Sequence, residues 1–209
     1  MCRLKKMSVL LLFLSLLFGA CLNLKQPRNR IEYYTLEYAP PPITGIKPLP
    51  YAIRVERFTV APVFNSTQII YRDQSFKRNA YAYYKWRVNP GDLVTYFLNR
   101  DIMHSGLFKA VLPHGSRSVS SYTLEGSVDE FFEWDTEESW SGVLSISITL
   151  ITTNEPDISK KILFQKSYRT TESCKLKHPR ALAEAISMAM ARISEKIIKD
   201  IHNHLKDMR

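Results

Sequence analysis

The chain has 209 residues, 29 of them Lys or Arg against 20 Asp or Glu, a formal charge of +9. That length allows one domain with a full hydrophobic core. The basic residues are scattered in runs no longer than Lys160-Lys161, which speaks against a nucleic-acid stripe. With only three cysteines, Cys2, Cys21 and Cys174, a disulfide framework is excluded.

In chain order, Arg3, Lys5 and Lys6 precede an apolar run, Met7–Phe18, followed by Gly19-Ala20-Cys21. As a helix that run is roughly 18 Å long, short of the ~30 Å hydrocarbon core, so it reads as an export signal and not as a membrane span. The cysteine after two small residues is the pattern of a bacterial lipobox, with Phe18 where leucine is usual. We expect residues 1–20 to be a lipoprotein signal peptide, Cys21 the lipidated (palmitate-bearing) residue and 21–32 a tether to a domain spanning 33–209. Several acyl chains at ~0.8 kcal/mol per buried methylene would hold such a chain firmly. Cleavage would leave 26 basic side chains against 20 acidic ones, a balance suited to anionic headgroups. Leu22 after the cysteine, where an Asp favours inner-membrane retention in enterobacteria, points to the outer membrane.

The pattern predicts strands over Tyr33–Tyr38 and Tyr51–Val60, the second with a bulge near Glu56-Arg57 where its apolar phase slips. Between them, Ala39–Pro50 holds five prolines and reads as an extended connection. Thr67–Tyr71 and Ala80–Val88 predict a hairpin around the polar turn Asp73–Asn79. Asn89-Pro90 is a strong helix start, Leu93, Val94, Phe97, Leu98 and Ile102 share a face, and Gly106 is placed to end the helix. A short strand over Leu107–Leu112 comes next. Tyr122–Trp134, Trp140–Thr152 and Ile158–Tyr168 predict an antiparallel meander. From Pro179 to about Met208 one long helix presents Leu182, Ile186, Met190 (or Ala189), Ile193, Ile197, Ile201 and Leu205 as a single stripe. The fold class expected is therefore α+β: one domain with an antiparallel or mixed sheet packed by two amphipathic helices.

Chemistry-bearing patterns are sparse. The five histidines offer no shared-ion spacing, His202 and His204 standing about 200° apart on a helix, so no metal and no cofactor is expected. Neither a phosphate-binding glycine pattern nor a nucleophile elbow occurs. Asp129, Glu130, Glu133, Asp135, Glu137 and Glu138 cluster at a strand end and read as a solvated rim; an acid–base pair of Glu130 and Glu133 is the rival reading. The run Tyr81, Tyr83, Tyr84 and Trp86 puts aromatics on both faces of a strand, with Tyr84 and Trp86 on one and Tyr81 and Tyr83 on the other. It reads either as core or as an interface anchor.

Taken together, the lipobox, Tyr33-Tyr34-x-Leu36, Ile53-x-Val55…Phe58-x-Val60, Ile69-Ile70-Tyr71-Arg72, the aromatic strand ending at Trp86 and Tyr122-x-Leu124-x-Gly126-x-Val128-x-x-Phe131 before a long closing helix resemble the auxiliary lipoproteins of ABC-type transport systems, the PqiC-like family that accompanies MCE-domain proteins. The resemblance spans the mature chain, which departs from it in the proline-rich insert Ala39–Pro50 and in its basic balance. It implies a non-enzymatic lipoprotein at the periplasmic face of a Gram-negative outer membrane, docking or stabilising an MCE assembly in lipid transport, and it admits a homo-oligomer. Tyr71, Arg72, Tyr84 and Trp86 carry over as the partner or oligomer surface. The alternative is a lipopolysaccharide-assembly lipoprotein that partners an outer-membrane barrel.

Overall fold

A computed structural model describes residues 30–73 and 76–207; Cys21, the signal segment and most of the tether lie outside the described residues. The described residues form nine strands: β1 (Glu32–Tyr34), β2 (Leu49–Val55), β3 (Thr59–Val60), β4 (Gln68–Arg72), β5 (Asn79–Trp86), β6 (Phe108–Leu112), β7 (Tyr122–Asp135), β8 (Trp140–Thr152) and β9 (Ile162–Ser173). Three α-helices accompany them among the described residues: α1 (Pro90–His104), α2 (Ile158–Lys161) and α3 (Pro179–Lys206).

The organising strand is β7. Along one side it pairs antiparallel with β8 over its whole length, from Tyr122↔Thr152 to Asp135↔Trp140. Its other side is divided among three shorter strands, all parallel to it: β2 opposite Tyr122–Leu124, β3 opposite Ser127–Val128 and β4 opposite Glu133–Trp134. Beyond these lie β6 on β2, and β5 then β1 on β4, while β9 continues the meander past β8. The sheet is thus mixed and curls into a half-barrel. The predicted slip near Glu56-Arg57 is a break between β2 and β3, which lets one continuous stretch pair twice with the same neighbour.

Helices α1 and α3 pack on the sheet and on each other. In α3 the expected stripe, from Leu182 through Leu205, is fully buried, and it faces β8 and β9. Leu144, Ile146, Ile148 and Leu150 of β8, all 1 % exposed or less, supply the opposing surface. At about 2 kcal/mol for each buried aliphatic side chain, this contact is a large apolar contribution to the fold. Asn89 caps α1 by accepting the Gly91 N–H at 2.9 Å, Pro90 occupies the first turn, and Gly106 adopts φ +64° just past its end.

Two elements depart from expectation. The first strand stops at Tyr34 and does not run to Tyr38, because the helices compete for the backbone and side chains beyond it. Glu37 N–H donates to Ser187 Oγ of α3 at 3.0 Å, and the Tyr38 hydroxyl donates to buried Asp101 of α1 at 2.7 Å. Arg100 also donates to Asp101, at 2.9 and 2.7 Å, and to the Tyr38 carbonyl at 3.0 Å. The third meander strand begins at Ile162, not Ile158, because Asp157 accepts the Ser159 N–H at 3.0 Å and caps the single-turn helix α2.

Gly126 marks where α1 and the β2–β3 connection close on β7. Phe58 lies directly over it, and Phe58 N–H donates to Thr95 Oγ1 of α1 at 2.9 Å. A Cβ at position 126 would collide with the Phe58 ring and come within 2.5 Å of the Ser147 carbonyl. Gly126→Ala is expected to cost about 3 kcal/mol, read as a lower urea midpoint, whereas Gly115→Ala tests only backbone strain, since its Cβ would meet open space.

Candidate functional site

The sequence-selected aromatics gather at one end of the sheet. In the β4–β5 hairpin the pairing moves from Gln68↔Lys85 to Ile70↔Ala80, so β5 carries three more residues than β4 over that interval. This bulge breaks the strict alternation expected for Tyr81–Trp86. Tyr81 and Tyr84 come together with ring centroids 5.7 Å apart, while Tyr83 is exposed. Trp86 does not share a surface with Tyr84; it is 1 % exposed and packs edge-on against Phe131 at 5.0 Å. It belongs to the core.

The remaining rings form a connected cluster. Tyr71 meets Tyr81 at 4.9 Å, Tyr84 meets Tyr34 at 6.2 Å, and both Tyr34 and Tyr84 lie against His178, at 6.5 and 5.9 Å. His178 in turn caps α3, its Nδ1 accepting the Arg180 N–H at 3.1 Å. The cluster therefore locks β4, β5, β1 and the start of α3 to one another. Arg72 stacks over Trp134 at 4.6 Å and Lys177 over Trp140 at 4.2 Å.

Beneath the rings lies a group that the sequence pattern places in solvent. Glu133 is completely buried. The reason is a bulge in β7: its pairing slips by one residue between Val128↔Ile146 and Glu130↔Ser145. Before the slip the inward residues are Leu124, Gly126 and Val128; after it they are Phe131 and Glu133. The three-residue spacing from Val128 to Phe131 is the signal that sequence offers. Glu133 Oε1 accepts from the Tyr81 hydroxyl at 2.9 Å, and Oε2 has no hydrogen-bond partner among the described residues. Burial pushes its carboxyl up to about 7, and Asp135 adds to the rise, while the Tyr81 hydrogen bond and Lys177 oppose it. The Cys174 thiol is likewise pushed up to about 11, by burial and then by Glu133. Such a thiol stays protonated at neutral pH and is a poor nucleophile.

Three other carboxylates of the cluster are engaged separately. Asp129 accepts from Ser127 at 2.6 Å and Ser147 at 2.5 Å, Glu130 pairs with Arg169 at 2.5 Å, and Asp135 pairs with Lys177 at 3.2 Å. Glu130 and Glu133 both follow the slip and stand three residues apart, on opposite faces of β7, so the structure does not bring them together as a pair. Among the described residues no group of three or more His, Cys, Asp or Glu side chains is arranged to hold a metal, and no helix is long and apolar enough to cross a membrane.

The domain is thus a helix-backed mixed half-barrel with an aromatic end. The family model for the ABC-type transport auxiliary lipoprotein component matches residues 34–198, and the chain belongs to that family. Its fold is similar to that of XCC0632 from Xanthomonas campestris, a solved DUF330 protein, at 14 % identity and a TM-score of 0.75, covering 85 % of this chain and 99 % of that one. A second solved protein, described as uncharacterized, matches at 12 % identity and a TM-score of 0.62 over 82 % of this chain and 99 % of its own. The hypothetical protein CT253 from Chlamydia trachomatis matches at 6 % identity and a TM-score of 0.52, over 75 % of this chain and 98 % of its own. No curated protein matches the chain.

The raised Glu133 carboxyl has a stability consequence. Between pH 4.5, its ordinary value, and about 7 the folded chain holds a proton that the unfolded chain releases. Stability from this group is therefore retained below pH 4.5 and lost as pH rises through about 7. Glu133→Gln keeps an acceptor for Tyr81 and removes the charge. Urea titrations at pH 5 and pH 8 are expected to show wild type losing about 2 kcal/mol more than the variant; equal losses would mean that Glu133 ionises as it does in water.

Proposed function

We propose that this protein is a non-enzymatic lipoprotein, anchored through Cys21 at the periplasmic face of the outer membrane, that docks or stabilises the MCE assembly of an ABC-type lipid transporter. The observation that carries this reading is the family match over residues 34–198, whose family is defined by an auxiliary role beside an ABC-type transporter. The basic, apolar, small, cysteine order of residues 3–21 supplies the anchor.

The flank of the aromatic cluster that carries Tyr83 is the surface we assign to the partner. Tyr71 and Tyr84 are half-buried and held through Tyr81, half-buried Arg72 is held on Trp134, and Tyr83 projects outward beside them. Aromatic and arginine side chains already held in place lose little entropy on binding, which is why such residues dominate interface energetics. Trp86 supports this surface from below, by fixing β5 on Phe131. A homo-oligomer formed through the same surface is compatible with this role.

Two measurements test the proposal. Photo-cross-linking in intact cells from a benzophenone amino acid at position 83 should yield an adduct with an MCE-domain protein; adducts with an outer-membrane barrel alone, or none beside a working positive control, would overturn it. Cys21→Ala should abolish palmitate labelling and release the protein from the membrane fraction.

A further inference from the structure

The topology fixes the direction from which the chain reaches β1. Strand β1 runs parallel to β5, with Glu32 opposite Tyr84, so the chain enters the sheet from the side of the β4–β5 loop. The C-terminal ends of β4 and β7 are level, Arg72 standing opposite Trp134. The β7–β8 loop and the segment after Ser173 are there too, since Asp135 pairs with Trp140 and Ser141 with Ser173. All of these turns lie at one end, together with the start of α3.

That end carries exposed large apolar side chains. Phe76 is 100 % exposed and Leu176 is 72 % exposed, and Ile31, where the tether joins the sheet, is exposed as well. Trp134 and Trp140, two of the three tryptophans, stand immediately behind under Arg72 and Lys177. Large apolar tips backed by Trp–cation pairs match the chemistry of a membrane–water interface, which is apolar on one side and wet on the other. Charge is nearly balanced here: Lys77 pairs with Asp73 at 3.5 Å and Lys177 with Asp135 at 3.2 Å, and Glu137 and Glu138 are exposed at the β7–β8 tip.

We infer that this end of the domain rests on the bilayer that holds the lipid anchor, with Phe76 and Leu176 inserted among the headgroups. The inference depends on lipidation at Cys21. Ten residues from Cys21 to Ile31 span at most about 35 Å, less than the roughly 45 Å length of a 14-residue strand such as β7. A tether of that length, entering from the aromatic end, holds that end towards the membrane. Because the charges there are largely compensated, the contact is apolar and should depend only weakly on salt. The domain would then stand with β7 steep to the bilayer, the Tyr83 face turned sideways along it.

The test uses the natural lipidated protein reconstituted into vesicles of phosphatidylethanolamine and phosphatidylglycerol. An environment-sensitive dansyl amino acid is encoded in turn at positions 76, 176 and 119. Val119, 86 % exposed, precedes β7 and lies at the opposite end, making it the control. Labels at 76 and 176 should shift to the blue and be quenched several-fold more by nitroxide-bearing lipid than the label at 119, at both low and high salt. If the protein floats with the vesicles but all three labels stay in water, the surface is refuted and the anchor stands. If the protein does not float, both fall. Blue shifts at 76 and 176 that arise only on adding a second protein, or only at high protein density, assign the surface to a protein contact and overturn the inference.

Discussion

The constraint on which the fold depends is that β7 must satisfy two rows of backbone hydrogen bonds in the middle of a sheet. Its β8 side is simple, a continuous antiparallel ladder between sequence neighbours. The opposite side is met by β2, β3 and β4 in succession. Each of those strands touches β7 at only two or three residues, too few to hold a register alone, so the register is set by the side chains that pack over them. Phe58 on Gly126, Thr95 bonded to Phe58 N–H, and Phe64 stacked on Phe132 at 5.8 Å are the contacts that do so. Curvature of the half-barrel is the result, since three short strands separated by a break and a 3-10 turn can track a bending neighbour where one long strand would resist.

How much of this is legible in the sequence depends on whether the information is local. The caps at Asn89 and Gly106, the slip near Glu56-Arg57 and the seven-residue stripe of α3 are all readable, because each is decided by chemistry within a turn or two. Parallel pairing of β2, β3 and β4 to β7 is not, because partners more than sixty residues apart leave no mark on either strand. The first strand is overextended from sequence for the same reason: Glu37 and Tyr38 have a strand-like pattern, and only Ser187 and Asp101 on distant helices show why they leave the sheet.

Glu133 is the instructive case at the candidate site. Its neighbours in sequence are carboxylates, and composition alone places all of them in water. What moves one of them inside is a phase change, carried by Val128 and Phe131 standing three apart where a regular strand would put them two or four apart. The same reasoning applied to Tyr81–Trp86 fails from sequence, because that bulge lies in a run where every candidate residue is aromatic and no apolar–polar alternation exists to slip. Alternation alone therefore groups Trp86 with Tyr84, whereas β5 sends the first into the core and the second into the Tyr34–His178 cluster.

The aromatic end draws these features into one arrangement. A buried carboxyl with a single hydrogen bond is tolerated only where surrounding packing outweighs its desolvation, and the Tyr71–Tyr81–Tyr84–Tyr34–His178 chain supplies that packing while holding four separate segments together. Tyr81 serves both purposes, its ring joining the cluster and its hydroxyl satisfying Oε1 of Glu133. The same cluster fixes where the tether meets the sheet, through Tyr34 of β1, and where α3 begins, through His178. In the role proposed above, rigidity is needed between the attachment point and the partner-facing side chains. Tyr34 and Tyr84, 6.2 Å apart on adjacent parallel strands, connect those two positions directly.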